Sequence, residues 1–455
     1  MSSVLLVYPY FRPFTDLSVF RFPPLGPAYV AASLRQAGHR VGILDCTFLS
    51  RRRALEQASS FGAEVVGIYS MASMLESSLW FARMLRERTR LLVAGGPLPS
   101  CDPAAFLGPF DVVVRGEGEQ TMKELLGAWE RGGGLQAVHG IAAGGLLGEA
   151  APGEVLSTPP RRLERDLDSI PFPARELLPN RSYIAHGRRR YGYAVTTVMS
   201  TRGCPFRCEF CSNVVFGGSY RERSARSVVD EIEQALGLGY QRISFADDVF
   251  TLSRERTLGI CAEIRRRKLA LAWECLGRAE GLDFELAREM KAAGCRRIYF
   301  GIESGNERIL QLMRKRITCD QARQAVENAH RAGLEVGAFF ILFYPGETDD
   351  TVLQTLHFAA SLPLTYLGLT MPYLLPGTEL AERMRDRSAR DWNPAERPFL
   401  SHVLTFRADV SELKMRFAIL RGHLQFEMKK RLGRAAPLAL RLFEPATEAL
   451  LRVLR

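Results

Sequence analysis

The chain of 455 residues is long enough for about three domains, and 47% apolar with 24% charged residues exclude a disordered or fibrous protein. Its net charge of +11 allows an anionic partner, yet no Lys/Arg-rich block interleaved with aromatics marks a nucleic-acid site. No apolar run reaches the roughly 18 residues of a membrane span, and the first residues lack the basic flank of a signal peptide. Six of the nine cysteines are scattered and three are clustered, which points to a reducing cytoplasm rather than a disulfide framework.

Short apolar runs come first: Val4–Tyr8 (VLLVY), Val41–Leu44, Val65–Tyr69 (VVGIY), Leu91–Ala94 and Val112–Val114. Helical patterns fall between them, at Gly26–Ala37, ended by Gly38, and near Leu75–Arg88. Buried runs separated by helices predict a doubly wound, Rossmann-like parallel sheet over residues 1–150. Ligands of such sheets lie beyond the carboxyl ends of the strands. Those ends carry Ser70-Met71, Gly95-Gly96-Pro97 and Arg115-Gly116-Glu117-Gly118-Glu119. A G-x-G-x-x-G after the first strand and a P-loop are both absent.

Residues 151–193 read as a linker, with Pro159, Pro160, Pro171, Pro173 and Pro179 among charges and no sustained periodicity. Six further strands are predicted at Ala194–Met199, Arg242–Ala246, Leu271–Cys275, Arg297–Ile302, Val336–Leu342 and Tyr366–Thr370. Helices are expected between them at Val228–Leu236, Arg254–Arg267, Phe284–Ala293 and Cys319–Ala332. Six β/α units suit a partial TIM-type barrel over residues 194–385. Residues 386–455 read as a basic helical region. In Leu413–Arg434 the stripe Phe417, Leu420, Leu424 and Met428 predicts a helix packed on the barrel; a membrane-surface face is the alternative.

The most informative segment is Ser200-Thr-Arg-Gly-Cys204-Pro-Phe-Arg-Cys208-Glu-Phe-Cys211. Three thiolates on one short loop can ligate three irons of a cube and leave the fourth open. Arg202 and Arg207 favour thiolates and an anionic cluster. A zinc site is the competing reading, but no second Cys/His pair follows at zinc spacing. The C-x3-C-x2-C spacing, with an aromatic before the last cysteine and directly after the first barrel strand, resembles the radical S-adenosylmethionine (SAM) superfamily. The resemblance implies that Cys204, Cys208 and Cys211 hold a [4Fe-4S] cluster, that SAM chelates the open iron, and that Phe210 lies against the adenine. It further implies SAM contacts at successive strand ends. Asp247 and Asp248 would meet the ammonium or the substrate side, and Arg278 the carboxylate. Glu303 and Ser304 would hold the ribose, and Pro345 and Gly346 the adenine edge. Each of these is also an ordinary turn or cap sequence.

The segments Pro23-Pro-Leu-Gly26-Pro-Ala-Tyr, Ala94-Gly-Gly-Pro97-Leu-Pro-Ser100, Val114-Arg-Gly-Glu-Gly-Glu-Gln-Thr121 and Asp166–Pro179 resemble the cobalamin-binding radical SAM group. That implies cobalamin contacts at Ser70, Met71, Gly95, Gly96, Pro97, Gly116 and Glu117. Leu98 and Ser100 stand where that group often has His and Thr. No D-x-H-x-x-G is present, so that motif supplies no lower axial histidine. A corrinoid-free scaffold is the alternative.

Together the resemblances imply a methyltransferase acting on an unactivated carbon or other inert centre, through a 5′-deoxyadenosyl radical and methylcobalamin. They also imply an external electron donor such as flavodoxin or ferredoxin, and a small-molecule, lipid or peptide substrate. A cobalamin-dependent radical SAM cyclase or ring-rearranging oxidase stays open, as does a corrinoid or iron–sulfur carrier or sensor. A methylthiotransferase is disfavoured, because Cys46 and Cys101 are the only cysteines in the N-terminal part.

Overall fold

The computed structural model describes residues 1–11, 21–144, 155–213, 215–387, 410–432 and 436–454. The first sheet has seven strands in the order β2-β1-β3-β4-β5-β6-β7. They are β1 (Ser3–Tyr8), β2 (Arg40–Asp45), β3 (Val65–Tyr69), β4 (Leu91–Gly95), β5 (Val112–Val114), β6 (Ile141–Gly144) and β7 (Val155–Ser157). Strands β1–β5 pair in parallel. Their runs are continuously apolar because both faces are covered. Leu5, Val7, Val66, Ile68, Leu92 and Ala94 pack with Ala54 and Phe81 on one side. Val4, Leu6, Val65, Leu91 and Val93 pack with Leu34, Met122 and Leu125 on the other.

The structure differs from the sequence reading at the far edge. Strands β6 and β7 add to the sheet antiparallel. The stretch expected to be a linker over 151–193 contains β7 and the helix Asn180–Tyr191. A three-residue strand is too short to show alternation, and the helix buries only Tyr183 and Gly187, so neither carried a usable period. The expected boundary at residue 150 lies outside the described residues.

The second sheet is parallel throughout, in the order β15-β14-β13-β12-β11-β8, and forms an open β/α layer. Its strands are β8 (Val195–Val198), β11 (Arg242–Phe245), β12 (Ala272–Gly277), β13 (Cys295–Glu303), β14 (Glu335–Ile341) and β15 (Tyr366–Thr370). A short antiparallel pair, β9 (Thr201–Arg202) and β10 (Arg221–Glu222), follows β8. Helices Glu412–Leu432 and Ala436–Val453 pack on each other, and the first also packs on β15. Met415, Ala418, Ile419 and Phe426 join the barrel core. The expected stripe is thus rotated: Leu420 and Leu424 face outward, 56% and 46% exposed. The start of the C-terminal region, through residue 409, lies largely outside the described residues. Among the described residues no helix is long and apolar enough to cross a membrane.

The two sheets are joined by buried ions. Glu231, on the helix Ala225–Gly237 beside β8, is fully buried between Arg175 and Arg223. Tyr29 of the first sheet's helix layer donates to the same carboxylate at 3.3 Å. Neutralising such a centre leaves buried guanidinium groups without a counter-charge, a loss of about 3–5 kcal/mol. Glu231→Gln is therefore expected to lower the urea midpoint of the first unfolding transition clearly; a midpoint equal to the wild type would refute this account of the joint.

Candidate functional site

The cysteine loop leaves β8 and is fastened at once. Asp247, at the end of β11, accepts the backbone N–H of Ser200 at 2.6 Å and of Thr201 at 2.9 Å, and the Ser200 hydroxyl as well. Arg256 donates to the Ser200 hydroxyl at 2.6 Å and lies 3.9 Å from Asp247. Burial pushes the Asp247 carboxyl up, against the pull of Arg256 and these hydrogen bonds. Gly203 then takes φ +82°, and a Cβ there would stand 2.3 Å from the Ser219 carbonyl oxygen, so only glycine fits.

Cys204 and Cys208 are half-buried, and Cys211 opens to the site mouth. Desolvation on its inner side, then the Cys208 and Asp248 charges, push the Cys211 thiol up to about 11. Among the described residues no three His, Cys, Asp or Glu side chains converge as ligands of a single ion. Thiolates around a cube bind separate irons and need no common point, so this donor set fits a cluster better than a lone zinc. Arg278 is buried with Nη1 3.8 Å from Cys208 Sγ and its guanidinium 3.6 Å from the Phe206 ring centre. Its Nε donates to Glu280 at 2.7 Å, and Nη2 bonds the Lys315 carbonyl. The sequence reading sent Arg278 to a SAM carboxylate; here its donors are engaged by Glu280, Lys315 and the cysteine loop.

Glu209, inside the cysteine motif, was not singled out from the sequence. Its carboxylate accepts the Tyr344 hydroxyl and Arg383, and its carbonyl accepts Leu380 N–H at 3.0 Å. It ties the loop to the segments after β14 and β15. Phe210 packs with Ile341, Leu374 and Leu380, its ring 6.4 Å from Tyr344 in a T-shape.

The other expected contacts divide. Asp248 is open at the mouth, its carboxyl raised by desolvation and then by Asp247. Glu303 has φ 76° and one oxygen 3.0 Å from Lys315 Nζ. Pro345 and the exposed Gly346 form a turn in which Glu347 accepts Tyr344 N–H at 2.9 Å, and burial pushes the Glu347 carboxyl up to about 8. Two residues point elsewhere. Asp247 is committed to the loop backbone. Ser304 is fully buried, 3.1 Å from the Thr355 hydroxyl, and accepts Asn306 N–H.

A mostly apolar cavity of about 250 Å³ lies at the carboxyl ends of β1, β3, β4 and β5. Gly95, Gly96, Pro97, Gly116 and Glu117 line it, with Gly26, Gly67 and Gly118 adding further bare backbone. A Cβ on Gly96 would meet the Ser70 carbonyl oxygen at 2.7 Å, and one on Gly118 would meet Val30 at 3.1 Å. Met199, Arg202, Val215 and Phe216 close the cavity from the second sheet's side. Such a glycine-walled, apolar slot suits the close approach of one part of a corrinoid to the backbone. Ser70 and Met71 do not line it; Ser70 is fully buried, with its hydroxyl turned toward the Met71 carbonyl at 3.5 Å. Glu117 borders it but its carboxylate is held by Arg202 at 3.1 Å, by Arg221 at 2.9 Å and by Glu164 N–H at 3.3 Å. Arg202 also bonds Glu119 at 2.6 Å and lies between the rings of Tyr29 and Phe216, 5.1 and 5.2 Å from their centres. No spacing rule announced Tyr29, Arg202 or Phe216 as walls, because the contacts cross between the two sheets.

Removing the Asp247 carboxylate would orphan two buried N–H groups at the base of the loop, about 1–3 kcal/mol each. In Asp247→Ala, amide hydrogen exchange at Ser200 and Thr201 is expected to rise well above the wild type while β1–β5 stay unchanged; equal protection at both amides would refute the role.

Residues 198–359 match the radical SAM superfamily, and residues 15–126 match the B12 binding domain. An uncharacterized methyltransferase of Pyrococcus horikoshii is 35% identical over 372 residues, covering 79% of this chain and 78% of that one. The anaerobic magnesium-protoporphyrin IX monomethyl ester cyclase of Rubrivivax gelatinosus is 27% identical, covering 84% and 70%. Among solved structures, the radical SAM methyltransferase TsrM of Kitasatospora setae, with cobalamin and a [4Fe-4S] cluster bound, shares the fold at a TM-score of 0.70 and 21% identity, covering 86% and 80%. The sheet that carries the cysteine loop and the sheet that carries the glycine-lined cavity each have their family match, and the chain belongs to the radical SAM superfamily as a cobalamin-dependent enzyme of a [4Fe-4S] cluster and SAM.

Proposed function

We propose that the protein is a methyltransferase that places a methyl group on an unactivated carbon, or another inert centre, of a small-molecule, lipid or peptide substrate. The observation that carries this reading is the joint between the two sites. Arg202, one residue before Gly203-Cys204, is bonded to Glu117 and Glu119 of the loop that lines the glycine-walled cavity. A relative named as a methyltransferase, similar over most of both chains, adds support. A cyclase without methyl transfer is the second reading, favoured by the similarity to the protoporphyrin ester cyclase.

When bound, the cluster, SAM and cobalamin supply one-electron cleavage of SAM and delivery of a methyl group. The chain's own residues do the rest. Cys204, Cys208 and Cys211 would hold the cluster, and Arg278 sets a positive charge beside the Cys208 sulfur. Phe210, Asp248, the second oxygen of Glu303 and the Pro345-Gly346 turn would contact SAM. Gly95, Gly96, Pro97 and Gly116 let the corrinoid approach the backbone. Met199, Val215 and Phe216 cover that slot with apolar surface. Electrons come from an external donor such as flavodoxin or ferredoxin.

Protein reconstituted without oxygen, then given SAM and a strong reductant, is expected to yield both 5′-deoxyadenosine and S-adenosylhomocysteine. Cys208→Ala is expected to lose the deoxyadenosine. Deoxyadenosine without S-adenosylhomocysteine would favour the cyclase; neither product from fully loaded protein would refute the enzymatic reading. Gly95→Val, at a lining position where a Cβ meets only Val114 at 4.0 Å, is expected to weaken cobalamin binding about tenfold or more, as overpacking by about 1–3 kcal/mol implies, with iron per chain unchanged. Retention equal to the wild type would move the corrinoid away from this cavity.

A further inference from the structure

A second cavity, of about 420 Å³, opens at the carboxyl ends of β1 and β2. Three guanidinium side chains, Arg21, Arg51 and Arg189, line it with the His186 imidazole, Phe11 and Phe48. Among the described residues its lining contains no acidic residue and shares none with the glycine-walled cavity. Asp45, just below, is buried and bonded to Tyr183 at 2.7 Å. Glu76 pairs with Arg51 at 3.4 Å, with both side chains about half exposed, a contact that water screens and an incoming anion can replace.

The helix Asn180–Tyr191 ends in Arg188, Arg189 and Arg190, and basic residues suit a helix C-terminus. Arg189, however, lines the cavity and pairs with no acid among the described residues. Arg51 lies over Phe11 and Trp80, 5.8 and 5.3 Å from their ring centres, and begins the helix Arg51–Phe61, whose positive end faces the cavity. The rings of Phe48 and His186 stand 6.0 Å apart, centre to centre, in the lining. A carboxylate has two oxygens to offer; several separate cationic groups around one space suit the three oxygens of a phosphate ester better.

The cavity is also placed for use. Tyr10, Tyr8 and Tyr69 form a row, with centres 6.3 and 5.4 Å apart, and Tyr69 reaches the glycine-walled cavity. Both openings thus lie along one edge of the first sheet, where ligands of such folds gather. We propose that this pocket binds the phosphate-ester group of a small-molecule substrate. The proposal rests on the methyltransferase reading for its substrate, but not for its chemistry.

Titration calorimetry of the full chain, loaded with cluster and cobalamin, tests it with phenyl phosphate as the probe. Saturable binding is expected, weakened at least about tenfold in both Arg51→Gln and Arg189→Gln, with cobalamin content and thermal midpoint unchanged. Equal binding by the variants would overturn it. So would equal affinity for benzoate, which would mark a general carboxylate site. Binding seen only in cobalamin-free protein would overturn it too, since the pocket would then serve the cofactor's own phosphate. Deoxyadenosine formation in the same variants, measured without substrate, separates the two readings: its presence with no phenyl phosphate binding sinks the subsite alone.

Discussion

A guanidinium taken out of water must find its counter-charges inside the protein, and Arg202 finds them across a domain boundary. It is 4% exposed, clasped by Glu117 and Glu119, and flanked by the rings of Tyr29 and Phe216. Arg221 shares Glu117 and fastens the far end of the cysteine loop, through β10, to the same carboxylate. Buried pairs of this kind add little net stability compared with apolar packing, but breaking one is costly, so they fix geometry. Here the geometry fixed is the position of the thiol-bearing loop against the glycine-walled cavity. A second ionic centre, Glu231 with Arg175 and Arg223, repeats the device beside β8.

Around the cysteines, charged groups mostly hold the loop in shape. Asp247 receives the backbone of Ser200 and Thr201, and Glu209 reaches Tyr344 and Arg383. Such loops have few hydrogen bonds of their own, and buried N–H groups must be satisfied somewhere. A carboxylate at a strand end is therefore often a support for its neighbour rather than a ligand. That leaves Asp248, Glu303 and the Pro345-Gly346 turn as groups with acceptors or backbone still open to the site. Ser304, turned to Thr355, supports the helix behind β13 instead.

Local order in the chain determined a great deal. Apolar runs of strand length, spaced by helices, gave the parallel strands of both sheets, because a strand buried on both faces must be apolar at every position. The C-x3-C-x2-C spacing marked the loop, since three ligands within one turn of chain can face one cluster without help from elsewhere. Glycines at 95, 96 and 116 marked the cavity wall because they stand at strand ends, where ligands of such sheets bind, in segments that resemble the cobalamin-binding group. Strand β6 escaped because four residues, though mostly buried, are too few to show a period, and β7 and the polar helix Asn180–Tyr191 because their burial is too slight to write one into the residues.

What only the tertiary structure decided was which charge meets which. Arg202 and Glu117 stand 85 positions apart, Arg175 and Glu231 56 apart, and Tyr344 and Glu209 135 apart. Nothing in either segment of such a pair requires the other, because an ion pair has no periodicity and its partner is set by the path of the whole backbone. The sequence by itself determined the donor set and the two sheets. The fold decided that Asp247, Glu117 and Arg278 serve as struts, since each was surrounded, once the chain closed, by groups that had to be paired.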